Sequence, residues 1–465
     1  MSDHSTLQRD GLTVTIVETP SLGDRSYVVD DGTSALVIDP QRDIDRIEKV
    51  LEQRSVQLAA VAETHAHNDY VTGGLEFARK ADVPYLVPCE AEADYERTQV
   101  CDEDVRQVGQ MTVRTMGTPG HTPHHVSFAV GRGDRPTMVF TGGSMLFGSV
   151  GRTDLVSPEL TVDLSHRQYA SVRRLADELP GDAAVLPTHG FGSFCSATPT
   201  SGDASTVEQQ RTQNPALTQD EDDFVRSLLD GFDAYPAYYV HMGPTNLAGP
   251  APVDLSPVHH ADADELRRRV DAGEWVVDLR DRTAFARGHV PGSYSFDANG
   301  NMVTFLGWLI PWGTPLTLIA DSPEQVAEAQ RELVRIGIDR PAAQATAPVE
   351  QLAGERGVAS FRTATFEDVA AVRERDPDVL ILDVRRNAEW QDGHVEGAVH
   401  IPLHELLDRT DEVPADQPVH VHCAGGFRAT IAASILDAAG KDVTAVIGAF
   451  NEAEGAGLPV VTTPA

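Results

Sequence analysis

At 465 residues the chain is too long for one ordinary hydrophobic core and calls for two to four domains. A formal net charge of −34 excludes nucleic acid as a partner, because a phosphate backbone needs the opposite sign. No apolar run is long enough to span a bilayer, and Met1-Ser2-Asp3-His4-Ser5 lacks the basic and apolar parts of a secretory signal, so a cytoplasmic location without membrane contact is expected. Along the chain, Ala35-Leu36-Val37-Ile38-Asp39 reads as a strand and Ile44 to Leu51 has helical apolar spacing. The apolar run Leu58 to Ala62 reads as a buried strand, and Thr64-His65-Ala66-His67-Asn68-Asp69-Tyr70 follows it. Two histidines at i, i+2 past a strand end, with a carboxylate two residues on, can converge on one cation; imidazole and carboxylate suit zinc and non-haem iron.

Matching pieces recur downstream. Thr118-Pro119-Gly120-His121-Thr122-Pro123 offers a third histidine, Phe140-Thr141-Gly142-Gly143 follows, and Leu186-Pro187-Thr188-His189-Gly190 offers a fourth. His124 and His125 lie close to His121 and are read as solvated or hydrogen-bonded rather than as ligands. Four cysteines, Cys89, Cys101, Cys195 and Cys423, are widely scattered, which fits free thiols in a reducing cytoplasm better than a disulfide framework. Cys89 and Cys101 sit in no reactive context and read as structural.

The second half carries an internal repeat. Val276-Val277-Asp278-Leu279-Arg280 leads to Gly288-His289-Val290-Pro291-Gly292, and Ile381-Leu382-Asp383-Val384-Arg385 leads to Gly393-His394-Val395-Glu396-Gly397 at the same spacing. Each copy starts with an amphipathic segment, Ala263 to Asp271 and Phe366 to Arg375, and then an apolar strand, which implies parallel α/β sheets. Residues 248–252 and 342–354 read as linkers. Three domains result, over 1–247, 258–345 and 358–465.

In the second copy, strand Val419-His420-Val421-His422 runs into Cys423-Ala424-Gly425-Gly426-Phe427-Arg428 and a helix from Ala429 to Ala439 ended by Gly440. A loop entering a helix N-terminus points N–H groups at its own centre, which favours a thiolate and holds an anion. Gly425 and Gly426 permit the turn. Cys423 is therefore the expected nucleophile and Arg428 the group that steers an anionic donor. The first copy has Leu316 to Ala320 and then Asp321-Ser322-Pro323-Glu324 at this place, with no cysteine, paired glycine or arginine.

The histidine motifs, in their order, resemble the metallo-β-lactamase superfamily over roughly residues 11–245, which implies an αββα sandwich with metal at the sheet edges. The Cys423 loop is similar to that of rhodanese sulfurtransferases, which carry sulfane sulfur as a cysteine persulfide. A metal domain followed by an inactive and then an active rhodanese domain resembles the fused persulfide dioxygenases, as do Gly151-Arg152-Thr153-Asp154 and the run from Thr188 to Cys195. That resemblance implies one Fe(II) per chain, with Zn as an isolated form, and no organic cofactor. It implies oxidation of a glutathione or similar low-molecular-weight persulfide by O2 to sulfite, with sulfur transfer yielding thiosulfate. A homo-oligomer is expected.

Two positions depart from the family pattern. The Asp that normally follows Thr-Gly is Gly143, and the last His of H-x-H-x-D-H is Tyr70. A two-zinc thioester hydrolase of the glyoxalase II type needs both. The remaining metal set is His65, His121 and His67, with Asp69 and His189 as further candidates. Tyr70, Arg152 and Cys195 are candidate substrate or relay groups. The alternatives to the dioxygenase are a sulfur carrier whose metal domain has lost its chemistry, and a zinc thioester hydrolase.

Overall fold

The computed structural model describes residues 4–200, 202–298 and 301–462. Two compact units are present. The first spans Met1–Val253 with Val334–Gly337, and the second spans Asp254–Leu333 with Ile338–Ala465. Apart from Val334–Gly337, both repeats fall in the second unit.

In the first unit two sheets face each other. Seven strands run in chain order from His4–Arg9 to Thr98–Val100. The other sheet has six, ordered Ser205–Thr206, Ala184–Pro187, Arg135–Gly142, Val126–Arg132, Met111–Gly117 and Val105–Val108. Strand side chains alternate between faces, so Val14, Ile16, Val29, Leu36 and Ile38 meet Val113, Phe128, Val130 and Phe140 in one dry layer between the sheets. The opposite face of the first sheet, with Val28, Val37 and Val61, packs under the helices Asp45–Arg54 and Gly74–Ala81. The opposite face of the second sheet is covered by Thr161–Glu178 and the helices after it. This is the expected αββα sandwich.

Two expectations are corrected. Cys89 and Cys101 are not free thiols but a disulfide, with Cα atoms 5.2 Å apart. Strands Tyr85–Pro88 and Thr98–Val100 pair in parallel with Pro88 opposite Val100, which sets the two following cysteines side by side. Strand register of this kind is not visible in cysteine spacing, and the pairing removes the cysteine argument for a reducing compartment. Residues 342–354 are not a linker. Ala343–Ala345 is the fourth strand of the first repeat and Val349–Ala353 is a helix. A buried three-residue strand is too short to show a period.

In the second unit, the first repeat's sheet runs Tyr294–Ser295, Trp275–Asp278, Leu316–Ile319, Ala343–Ala345, all parallel. The second runs Arg362–Ala364, Val443–Val446, Val419–His422, Leu380–Asp383, Val399–His400, also parallel. The repeated Asp-x-Arg does the same work in both copies. Arg280 is held by Asp278 and donates to the Gly288 carbonyl at 2.9 Å. Arg385 is held by Asp383 and donates to the Gly393 carbonyl at 2.7 Å. Each pair ties a strand end to the Gly-His-Val segment through charge-assisted hydrogen bonds. No helix among the described residues is long and apolar enough to cross a membrane.

Candidate functional site

In the first unit, both sheets deliver histidines to one place. His65 follows the strand Gln57–Ala62, His121 follows Met111–Gly117, and His189 follows Ala184–Pro187. Ring nitrogens of these three, all buried, lie within 4.8 Å of one another. His65 Nε2 and His189 Nε2 are 3.3 Å apart. Each of the three rings is oriented through its other nitrogen. His65 Nδ1 meets Thr64 Oγ1 at 2.9 Å, and that hydroxyl gives its own proton to Asp39 Oδ2 at 2.7 Å. His121 Nδ1 donates to the Arg152 carbonyl at 2.7 Å. His189 Nδ1 faces Asp24 Oδ1 at 2.9 Å and Asp69 Oδ2 at 3.1 Å. Asp39 is the hub beneath the site. It also accepts from the Thr64 amide at 2.7 Å and from the Thr188 hydroxyl, and so joins two of the loops.

Charge in this pocket is uneven. Burial and neighbouring histidines push His65 well below its usual range, and the same causes bring His121 down to about 3, so both rings are neutral. Burial also opposes charge on His189, but the Asp69 and Asp24 carboxylates overcome it and raise that group to about 10. His121 Nε2, His67 Nδ1 and Asp69 Oδ1 are buried without a hydrogen-bond partner. Buried polar atoms normally find partners, so this cluster of unpaired donor atoms fits a bound cation.

The structure groups the ligand atoms of His65, His121 and His189; the His67 ring lies 4.1 Å from that of His65, but its Nε2 has other partners. His67 Nε2 lies 3.1 Å from Glu63 Oε2, 3.4 Å from Asp39 Oδ1 and 2.9 Å from the Tyr70 hydroxyl. Its ligand atom groups with those of Asp69 and His189, or of Asp39 and Glu63. Tyr70 is fully buried, and its hydroxyl also lies 3.3 Å from the Asp39 carbonyl oxygen. Arg152 is clasped by Asp154 at 2.8 and 2.7 Å and donates to the Asp233 carbonyl, with the Phe232 and Tyr235 rings alongside. Cys195 is buried, and burial with the nearby Asp69 and Asp24 carboxylates pushes its thiol up. His125 is buried and hydrogen-bonded, through Thr118 Oγ1 at 2.8 Å and the Gly143 amide at 3.0 Å. His124 is solvent-exposed.

Gly143 sits against the His121 ring. A Cβ there would lie 2.2 Å from His121 Cδ2 and 2.5 Å from its Cγ. Gln168 closes the space further, accepting from the His121 amide at 2.9 Å and donating to the carbonyls of Gly143 at 3.1 Å and Ser144 at 2.8 Å. The ring therefore fills the room a family carboxylate at 143 would need. Gly143→Asp is expected to lower, not raise, metal affinity. Overpacking alone should cost about 1–3 kcal/mol, read as a lower melting temperature of the metal-free protein. A rise in iron affinity with unchanged melting would contradict this.

In the second unit, Cys423 leaves the strand Val419–His422 and the helix Phe427–Ala438 begins four residues later. The residue is 2% exposed, and its Sγ accepts the Gly426 N–H at 3.1 Å. Gly426 has φ +88°, a conformation that side chains disfavour, and nothing lies within 4 Å of a Cβ at Gly425. The Ala424 carbonyl accepts the Phe450 N–H at 3.0 Å, which pins the loop from below. Phe427 packs its ring 5.8 Å from Phe305 of the first repeat. At the corresponding place in the first repeat Asp321 follows the strand, and its amide is taken by Gln325 Oε1 at 2.9 Å.

Arg428 is not free to face a donor alone. Glu389 grips it with two bonds, at 2.6 and 2.7 Å. Burial disfavours the Glu389 carboxylate, but Arg428 outweighs it and holds the group at about 2. Because the folded value is depressed from 4.5, the stabilisation is present above pH 4.5 and is lost as pH falls through about 2. Glu389→Gln should remove this acid-side slope and cost on the order of 1–2 kcal/mol at neutral pH, allowing for partial exposure. Unfolding curves of both proteins between pH 5 and 2.5 test it; parallel curves would refute it.

Asp24, Asp39, Gln168 and Glu389 are the positioning residues that sequence reading missed. Asp39 stands at a strand end before Pro40, and Glu389 stands a few residues past the Asp-x-Arg of its repeat; both are polar signals at element ends. Asp24 and Gln168 carry no such signal, since their partners are distant in the chain.

Residues 24–189 match the metallo-beta-lactamase superfamily model, and residues 262–335 and 365–456 match the rhodanese-like domain model. The mitochondrial persulfide dioxygenase ETHE1 of Homo sapiens is 28% identical over 241 residues, covering 50% of this chain and 79% of the relative. That of Bos taurus is 30% identical over 211 residues, covering 44% of this chain and 74% of the relative. A metallo-beta-lactamase structure from Staphylococcus aureus aligns with a TM-score of 0.64 at 24% identity, covering 72% of this chain and 98% of that one, which is a likeness of fold. The chain belongs to the metallo-beta-lactamase superfamily, as a homologue of the persulfide dioxygenase ETHE1 with rhodanese-like domains in its C-terminal half.

Proposed function

We propose that the protein oxidises the outer sulfur of a low-molecular-weight persulfide, such as glutathione persulfide, to sulfite, and moves sulfane sulfur on Cys423. The observation that supports this most directly is the coexistence in one chain of two fitting centres. One is a buried histidine cluster with unpaired ligand atoms; the other is a cysteine whose sulfur accepts an N–H at a helix start. The oxidation balances as RSSH + O2 + H2O giving RSH and sulfurous acid, which ionises to sulfite.

An iron(II) ion held by the histidines would supply the redox chemistry that O2 needs to react with a closed-shell persulfide. The chain's own residues do the rest. Thr64, the Arg152 carbonyl and Asp24 with Asp69 hold the imidazoles in one orientation, so no ring has to reorganise.

At the second centre the Cys423 thiolate attacks the outer sulfur of thiosulfate or a persulfide. The donor's S–S bond breaks, sulfite or RS⁻ leaves with the bonding pair, and a Cys423 persulfide forms. The Gly426 N–H and the helix start offset its negative charge. A nucleophile such as sulfite or cyanide then takes the outer sulfur and restores the thiolate. In the oxidative direction RSSH and sulfite give RSH and thiosulfate, which consumes the product of the first centre.

Oxygen uptake with glutathione persulfide, measured with iron content and with sulfite and thiosulfate as products, tests this reading. Iron-dependent uptake with sulfite formation is the expected result. Sulfur transfer without uptake in iron-loaded protein would leave a sulfur carrier. Two zinc ions with glutathione thioester hydrolysis would establish the hydrolase instead.

A further inference from the structure

We propose that His189, not His67 or a carboxylate, is the third metal ligand, so that a first-row divalent cation is held by the Nε2 atoms of His65, His121 and His189. The proposal rests on the reading that this domain binds a metal, and it names the set that does so where Gly143 replaces the family's carboxylate.

The tautomers follow from the partners. The Arg152 carbonyl and the Asp69 carboxylate can only accept, so His121 and His189 carry a proton on Nδ1. Thr64 Oγ1 is committed as a donor to Asp39 Oδ2, so it too accepts from the ring, and His65 carries a proton on Nδ1. Nε2 is thereby the atom each ring can offer a cation, which on His189 would displace the second proton that Asp69 and Asp24 favour. His65 and His189 bring theirs to 3.3 Å, and His121 Nε2 is buried without a partner. Imidazole nitrogens about 2.0–2.1 Å from one cation, at angles between right and tetrahedral, sit roughly 2.8–3.4 Å apart. The observed separation falls inside that interval.

His67 has the reverse arrangement. Its Nε2 is the engaged atom, against Glu63, Asp39 and Tyr70. Its free atom is Nδ1, and its ligand atom groups with Asp69 and His189 or with Asp39 and Glu63, not with His65 and His121. His189 is shared by the group with His65 and His121 and the group with His67 and Asp69. Three neutral imidazoles also leave the cation's two positive charges uncompensated by ligands. That favours an anionic sulfur donor in an open position more strongly than a site containing a carboxylate would.

Iron content after anaerobic loading with ferrous salt, and X-ray absorption at the iron edge, test this. One iron per chain with three imidazole neighbours is expected in the unaltered protein. His189→Gln should weaken iron binding at least about 100-fold, while His67→Gln should retain stoichiometric iron. Melting of the metal-free variants shows whether each is folded, and ferrous iron should raise the melting temperature of His67→Gln and not of His189→Gln. Stoichiometric iron in His189→Gln, or two imidazoles with an oxygen ligand in the unaltered protein, would overturn the proposal. None of these readouts depends on persulfide oxidation. Iron bound by another set with oxidation intact refutes this ligand assignment alone, whereas three imidazoles without oxygen uptake refutes the activity alone.

Discussion

Replacing Cys423 with serine is expected to abolish sulfur transfer, by at least about 10³-fold, because an oxygen nucleophile cannot accept and release sulfane sulfur as a thiolate does. Serine is close in size, and its oxygen can take the same Gly426 N–H that now reaches Sγ at 3.1 Å. The loop should therefore keep its shape, and loss of transfer reports chemistry rather than folding. Oxygen consumption with glutathione persulfide should persist, since Cys423 belongs to the second unit and the histidines to the first. After thiosulfate treatment, mass spectrometry should find one added sulfur on the Cys423 peptide and none on the peptide containing Asp321. Transfer at the original rate in Cys423→Ser would refute the assignment and direct attention to Cys195, the other free cysteine among the described residues.

Much of the fold was legible because its signals are local. The strand and loop around Cys423, the helices Ala263–Asp271 and Phe366–Arg375, and the equal spacing of the two repeats all show in apolar periodicity or in glycine placement. The strand Ala343–Ala345 was not legible, because three small residues carry no period, and the Cys89–Cys101 pairing was not, because it depends on the register of two parallel strands. For the histidine cluster, residue types and order were plain, yet the choice among them was not. Which ring nitrogen is free is set by groups far away in sequence. Asp24 orients His189 across 165 positions, and the Arg152 carbonyl orients His121 across 31. Spacing of His65 and His67 at i, i+2 suggests two equivalent ligands, but the first meets a hydroxyl and the second two carboxylates. The same limit applies to Arg428: its place in the loop suggested a free cation, and only the fold shows Glu389 gripping it.

His121→Ala should remove metal binding altogether. The ring supplies the one Nε2 of the three that has no neighbour within hydrogen-bonding reach, and its Nδ1 anchors it to the Arg152 carbonyl. Truncation takes away the ligand and leaves that buried carbonyl unpaired, which should cost the metal-free protein about 1–3 kcal/mol. Retained stoichiometric iron in this variant would sink the metal assignment, and two tightly bound zinc ions in the unaltered protein would favour the hydrolase. A second substitution separates ligand loss from general damage. The 2.2 Å approach that forbids a side chain at Gly143 is made by the His121 ring itself. In the His121→Ala background that obstacle is gone, so adding Gly143→Asp should cost less stability than it does alone, and the new carboxylate can face His65 and His189. Iron affinity should then recover in part in the double variant, although each single change lowers it. Such a reversal of sign is the coupling expected of two residues competing for one space. Additive losses in the double variant would mean that position 143 does not face the metal, and that its glycine serves only the turn.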